Sequence, residues 1–198
     1  MDRDTVDSVR RLAIDGPLLL QQIGLLGEVG KEPDGGRTRL ALSGQDKRAR
    51  DLLVQWMKEL GLDVKIDPIG NIFGILYGKG DSCADALMIG SHIDTVINAG
   101  PFDGVYGVLS GLAVARAFRN AGVRPLRPLI VAAFTNEEGV RFQPDMMGSL
   151  FFTGGIPIDD ALETKGIDGA LLGQELRRIG YKGETEPSSL FPAEYLEL

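Results

Sequence analysis

Hydrophobic residues recur at helical spacing in three long segments of the chain. Asp15 and Ser43 stand just before the first two segments, and their side-chain oxygens are typical of helix N-caps. Glycine follows or ends each segment, as expected where a helix stops. The pattern therefore predicts helices over residues 16–27, 44–60 and 105–120.

Four shorter segments have the pattern of β-strands. Residues 62–66 alternate between apolar and polar side chains, and the apolar segment 72–77 follows a Gly-Asn pair. Residues 86–89 and 129–134 are continuous apolar runs, which are typical of strands buried on both faces. Because a helix is predicted between the last two runs, the chain is predicted to have an α/β fold, in which these two strands can run parallel.

In the last third of the chain the sequence pattern predicts shorter helices and the start of a strand. Residues 145–153 have the pattern of a short helix, and residues 169–179 that of a longer amphipathic one. Residues 195–198 alternate like the start of a strand. The fold class predicted from all segments is α/β, with a mixed sheet flanked by helices.

Polar clusters lie at or just after the apolar runs. His92 and Asp94 follow the first buried strand, Asp103 precedes the central helix, and Glu137 and Glu138 follow the second buried strand. The carboxyl ends of parallel strands are where ligands gather in open α/β sheets, so the clusters are expected to meet in space. Imidazole and carboxylate are the donors that hold hydrolytic divalent metals, which indicates a metallohydrolase.

Composition and charge exclude several other classes of function. The 198 residues have a net charge of −7 and no basic run, so a nucleic-acid partner is not expected. No apolar run approaches the ~20 residues that cross a bilayer. The single cysteine, Cys83, and the polar start Met1–Asp4 favour a cytoplasmic location.

The residue types suggest a role for each member of the clusters. Asp94 is two residues from His92, so in an extended segment its carboxylate can approach the imidazole and orient it. Asp103 lies beside a glycine in a turn and is assigned as a ligand that bridges two cations. Of the neighbouring glutamates, Glu138 is assigned as a metal ligand and Glu137 as the general base.

Simpler interpretations of the same residues stay open at this point. A lone histidine near an aspartate is common, Asp103 could be an ordinary turn residue, and paired glutamates are usually solvated. On that interpretation the chain is an acidic α/β domain without catalytic chemistry. The joint placement of the clusters after buried strands favours the metallohydrolase.

Longer motifs around these residues resemble a known family. The family comprises the dinuclear metal amidohydrolases that include N-carbamoyl-L-amino-acid hydrolase, allantoate amidohydrolase and beta-ureidopropionase. The resemblance rests on GSHIDTV, NAGPFDG and AFTNEEGVRF, and extends to TRLALSGQDKRARDLLVQWMKELGLDV, GNIFG, MMGSLFFTG and AEYLEL.

The resemblance implies an aminopeptidase-like α/β fold and two divalent metal ions, such as zinc or manganese. It implies that His92 and Glu138 each bind one metal, that Asp103 bridges them, that Asp94 orients His92 and that Glu137 is the base. It also implies further histidine ligands and a lid or dimerisation domain that these 198 residues do not contain. Residues 1–198 are therefore expected to be an incomplete, N-terminal portion of the catalytic domain.

The function expected from the resemblance is hydrolysis of a linear C–N bond, other than a peptide bond, in a small N-carbamoyl amino acid or related ureide. The whole enzyme is expected to be a homodimer, and this chain is expected to be inactive alone. The alternatives are an aminoacylase or exopeptidase of the same fold, or a non-catalytic module that assembles through its sheet edge.

Overall fold

The computed structural model describes residues 12–198, and within them five strands form one mixed sheet. The strands occur in the spatial order β1, β2, β4, β3, β5. β1 pairs with β2 and β2 with β4 in antiparallel fashion, whereas β3 is parallel to both β4 and β5. The strands are β1 (Asp63–Ile66), β2 (Ile72–Leu76), β3 (Leu87–His92), β4 (Leu129–Phe134) and β5 (Glu194–Glu197).

Within residues 12–198 there are six α-helices, of which two precede β1, one lies between β3 and β4, and three lie between β4 and β5. They are α1 (Gly16–Gly27), α2 (Gly44–Glu59), α3 (Val105–Ala121), α4 (Met147–Phe152), α5 (Ile158–Glu163) and α6 (Leu172–Ile179). The Asp15 carboxylate accepts a hydrogen bond from the backbone N–H of Leu18, and the Ser43 hydroxyl accepts one from that of Asp46. Both predicted N-caps are therefore present.

The two faces of the sheet pack differently. One face is covered by α1, α2, α3 and α6 in the larger hydrophobic cluster, which includes Ile72 and Val131 from the sheet. The other face carries a smaller cluster in which Phe73, Phe134 and Phe152 pack ring against ring at centroid distances of 5.3–6.2 Å. The sheet core therefore lies mainly between β2, β4, β3 and the helices of the first face.

The predicted elements are confirmed with small shifts at their ends. The strand predicted over 86–89 extends through His92, so that the histidine is the last residue of β3. The six-residue helix α5 was not predicted. No helix within residues 12–198 is both long and apolar enough to span a bilayer. The segment Met1–Asp4, used above to predict the location, lies outside the described residues.

Candidate metal centre

The parallel pairing of β3 with β4 brings the polar clusters together. In the register of this pair His92 lies opposite Phe134, so the segments that follow both strands leave the sheet at the same edge. His92, Asp103 and Glu138 each place one ligand atom there, and the three atoms lie within 4.8 Å of one another. The predicted convergence of a histidine, a turn aspartate and a loop glutamate is therefore present in the structure.

The imidazole of His92 is buried and its orientation is set by a backbone carbonyl. Nδ1 lies 2.9 Å from the carbonyl oxygen of Asp94, and this oxygen can only accept a hydrogen bond. Nδ1 therefore carries a proton, and Nε2 faces the carboxylates of the cluster. Nε2 lies 3.8 Å from Oδ1 of Asp103 and 3.4 Å from Oε2 of Glu137.

The carboxylate of Asp94 has a different partner from the one expected. Its Oδ1 lies 4.0 Å from Nδ1 of His92, which is beyond hydrogen-bond distance. Instead, Oδ1 and Oδ2 accept hydrogen bonds from the backbone N–H groups of Glu137 and Glu138, each at 3.3 Å. Asp94 thus orients the imidazole through its main chain. Through its side chain it orients the loop of residues 135–148 that carries Glu137 and Glu138, called the glutamate loop below.

Burial raises the pKa of Asp94 to about 6, although the neighbouring imidazole and the two N–H donors favour the charged form. The side chain is only 2 % exposed, so loss of hydration outweighs these favourable contacts. A positive charge near this carboxylate would favour its ionised form.

Asp103 reaches the cluster from the start of α3. Gly104, with φ +64°, separates it from Val105, the first residue of the helix. The positive end of the helix dipole therefore lies beside the Asp103 carboxylate. This side chain is 65 % exposed, so the cluster is open to solvent on the side of Asp103.

Glu138 gives the clearest indication that the cluster is suited to a cation. Its Oε1 is buried and has no hydrogen-bond partner. Burial raises the pKa of Glu138, and the negative charges of Asp103, Asp94 and Glu137 raise it further. A divalent cation at this position would give Oε1 a partner and offset the repulsion between the carboxylates, so the residues present fit a divalent metal.

The loop that carries both glutamates is closed by its own backbone. Met146 N–H donates to the carbonyl of Glu137, Met147 N–H to that of Asn136, and Gly148 N–H to that of Thr135. These three bonds join the segment after β4 to the start of α4. The positions of the glutamates are therefore fixed at the sheet edge by a closed loop.

Asn136 and Arg39 support the cluster. The sequence analysis assigned no role to either residue. Asn136 has φ +56°, and its Nδ2 donates to the carbonyl oxygens of Phe142 and Pro144 across the loop. Asparagine tolerates this conformation better than most residues, which is a signal the sequence could have offered. Arg39 is buried and donates from Nε to the carbonyl of Ile93, next to His92. Periodicity in the sequence does not indicate such a contact.

The sequence matches a described protein family and named relatives. Residues 71–169 match peptidase family M28. The N-carbamoyl-L-amino acid amidohydrolase of Geobacillus stearothermophilus is 40 % identical over 176 residues, which are 89 % of this chain and 42 % of that protein. Allantoate deiminase 1 of Glycine max is 40 % identical over 141 residues, 69 % of this chain and 29 % of that protein.

A solved structure supports the same relationship. A hydantoinase/carbamoylase family amidase from Burkholderia ambifaria superposes with a TM-score of 0.85 at 44 % identity, covering 89 % of this chain and 43 % of the amidase. The chain thus spans less than half the length of these relatives. The resemblance deduced from the motifs is confirmed: this chain belongs to peptidase family M28 and resembles the N-carbamoyl-L-amino acid amidohydrolases and allantoate deiminases.

Proposed function

We propose that residues 1–198 form a portion of the catalytic domain of a metal-dependent amidohydrolase. The reaction is hydrolysis of a linear C–N bond in an N-carbamoyl amino acid or a related ureide. The observation that carries this proposal is the convergence of His92, Asp103 and Glu138, with the buried Oε1 of Glu138 lacking a partner. The named relatives support the class of substrate.

In this proposal His92, Asp103 and Glu138 would hold divalent cations, with Asp103 in the bridging role. A bound divalent metal lowers the pKa of coordinated water and polarises a carbonyl oxygen. Zinc and manganese are the candidates, since both accept imidazole and carboxylate donors.

Glu137 is the proposed general base. Its carboxylate lies 3.4 Å from His92 Nε2 and is 32 % exposed, so it is at the cluster and accessible to water. It accepts a proton from the attacking water and delivers that proton to the departing nitrogen, a role worth about 10²–10⁴ in rate. Asp94 positions Glu137 and Glu138 through their backbone N–H groups.

The 198 residues supply one histidine and therefore few neutral donors for two cations. We expect weak metal binding by this chain and no turnover. From the motif resemblance we also carry over a homodimeric whole enzyme, and the single Cys83 accords with a cytoplasmic location.

Calorimetric titration of the 198-residue chain with Zn²⁺ and with Mn²⁺ tests the metal site. We expect Glu138→Gln to lose binding and Glu137→Gln to retain it, because only Glu138 is assigned as a ligand. The exposed Asp85 provides the control, Asp85→Asn, which should bind like the unchanged chain. Absence of binding by the unchanged chain would refute the proposed site.

Assays of the whole enzyme, for ammonia release and for peptide cleavage, separate the candidate reactions. Release from N-carbamoyl amino acids supports the amidohydrolase, whereas cleavage of peptides supports the exopeptidase that the family description allows. Tight binding of two ions together with turnover by the 198 residues would contradict the expected incompleteness. Light scattering tests the remaining alternative, in which the chain assembles through β5.

A further inference from the structure

The motif GNIFG contributes a buried asparagine that reaches the loop of the two glutamates. Asn71 precedes β2, and Ile72 pairs with Ala133 of β4. This register places Asn71 alongside the end of β4, just where the strand becomes the glutamate loop. The side chain of Asn71 is fully buried, so its hydrogen bonds are made entirely within the protein.

The amide of Asn71 bridges the two ends of the glutamate loop. Its Oδ1 accepts a hydrogen bond from Thr135 N–H at 2.8 Å, and its Nδ2 donates to the carbonyl of Gly148 at 2.9 Å. Thr135 and Gly148 are themselves joined by a backbone hydrogen bond of 2.8 Å. One side chain therefore binds both residues at which the loop closes.

Asn71 is itself held in place from the side remote from the loop. Its Nδ2 donates to Oδ2 of Asp67 at 2.7 Å, and its backbone N–H donates to Oδ1 of the same residue at 2.9 Å. Asp67 is also fully buried. The amide therefore has a fixed orientation, with the acceptor towards Thr135 and the donor towards Gly148.

Close packing leaves no room for the loop ends to shift. A Cβ added at Gly148 would overlap Oδ1 of Asn71 and the backbone of Thr135. Arg50 adds a second buried contact, since its guanidinium donates to the Thr135 hydroxyl at 3.2 Å. Thr135 is thus held through its main chain by Asn71 and through its side chain by Arg50.

From these contacts we infer that Asn71 is a positioning residue for Glu137 and Glu138. It touches neither the cluster nor a substrate, and it acts by fixing the two ends of the loop that carries the glutamates. This inference rests on the proposed function for its chemical meaning, since the glutamates matter there as ligand and base. The structural claim stands on the hydrogen bonds alone.

Amide hydrogen exchange in the metal-free 198-residue chain tests the structural claim. In the unchanged chain the Thr135 and Gly148 amides should be among the slowest to exchange. In Asn71→Ala the amides of residues 135–148 should exchange at least about tenfold faster. The reason is that the loop can then open without first breaking the hydrogen bonds of the Asn71 side chain to Thr135 and Gly148. Fast exchange at Thr135 in the unchanged chain overturns the inference without any variant.

Leu53→Ala is the matched control for a general loss of stability. Leu53 is fully buried in α2 and belongs to the larger core cluster, so its truncation weakens the fold without touching the loop. It should accelerate the slowest amides throughout the fold to a similar extent, with no additional acceleration at residues 135–148. The same uniform acceleration in Asn71→Ala, with no extra effect at residues 135–148, would reduce Asn71 to an ordinary core residue and overturn the inference.

Cobalt provides a spectroscopic readout of ligand geometry. The visible absorption of Co²⁺ bound to Asn71→Ala should shift, and its affinity should fall by about 10–100-fold, the usual effect of losing an outer support of a metal site. Leu53→Ala should keep the spectrum of the unchanged chain. An unchanged cobalt spectrum in folded Asn71→Ala overturns the positioning role.

Gly148→Ala disturbs the same contact from the side of Gly148 and should reproduce both effects of Asn71→Ala.

The proposed metal function and the positioning role of Asn71 fail in different ways. If the unchanged chain binds no Co²⁺, the proposed metal function fails, while hydrogen exchange still decides whether Asn71 holds the loop.

Discussion

Gly104 lies directly against the imidazole ring of His92. A Cβ added at Gly104 would approach three ring atoms to 2.5–2.6 Å, much closer than carbon atoms pack. Gly104 also has φ +64°, a conformation that favours glycine. The residue after Asp103 is therefore required to be glycine for two independent reasons, and the first concerns His92, a proposed metal ligand.

Gly104→Ala is expected to displace the His92 ring and weaken Zn²⁺ binding by about tenfold or more, as other disturbances of ligand orientation do. Titration calorimetry measures the effect. The control is Gly122→Ala at the other end of α3, where φ is +63° and nothing lies within 4 Å of the added Cβ. It carries similar backbone strain, about 1 kcal/mol, but should bind Zn²⁺ normally. Equal affinity in the two variants would contradict the steric argument.

Asp94→Asn should weaken metal binding through the glutamate loop. The asparagine side chain can accept only one of the two N–H groups of Glu137 and Glu138, and its own NH₂ faces the other. We expect the affinity for Zn²⁺ to fall about 10–100-fold. Because His92 is held by the backbone of residue 94, the tautomer of the imidazole should not change.

NMR of the imidazole nitrogens in Asp94→Asn separates the two roles of Asp94. Nδ1 should remain protonated in the metal-free variant, as in the unchanged chain. A change of tautomer would show that the carboxylate, and not the carbonyl, orients the ring.

Arg50→Ala and Lys47→Ala compare two ion pairs of the same spacing in α2. Arg50 pairs with Asp46 at 2.7 Å with both side chains buried, and Lys47 pairs with Asp51 at 2.6 Å near the surface. Loss of Arg50 leaves the Asp46 carboxylate buried without its partner, which should cost about 3–5 kcal/mol of unfolding free energy. Loss of Lys47 should cost less than about 1 kcal/mol. Urea unfolding measures both, and similar values would contradict the assigned burial.

Asp67 is expected to make stability depend on pH. Burial raises its pKa from 3.8 to about 7, although hydrogen bonds from Asn71, Ile69 and Gly70 oppose the shift. Because the folded pKa is the higher one, the folded state favours the protonated carboxyl. The stabilisation is fully present below about pH 4 and is lost as the pH rises through about 7.

The unfolding free energy of the unchanged chain should therefore fall between about pH 4 and pH 7 relative to that of Asp67→Asn, in which this group cannot titrate. The difference is at most about 4 kcal/mol, at 1.36 kcal/mol for each pKa unit. A carboxyl ¹³C resonance that is absent in Asp67→Asn should titrate near pH 7. A midpoint near the ordinary value of 3.8 would contradict the prediction.

The sequence predicted more of the fold than of the contacts inside the site. N-caps such as Asp15 and Ser43 and the apolar periods are local features, so the helices and strands could be predicted from neighbouring residues. The role of the Asp94 carboxylate could not, because residue spacing allows it to approach His92 but does not show that the carbonyl of residue 94 takes that position first.

Contacts between residues that are far apart along the chain could not be predicted from the sequence either. Asn71 and Thr135 are 64 residues apart, and only the pairing of β2 with β4 brings them together. Arg39 reaches Ile93 across 54 residues through a contact between two segments outside the helices and strands. Charged and polar residues of this kind look like surface residues in the sequence, since most such side chains are exposed.

By itself, the sequence determined the order of helices and strands, the family, and the set of donors available to a metal, because each of these depends on residue types and their local spacing. The tertiary structure decided which donors meet, which atom of Asp94 faces the imidazole and which buried side chains fix the glutamate loop. These depend on strand register and on competition between nearby hydrogen-bond partners, and both are settled only when the distant segments pack together.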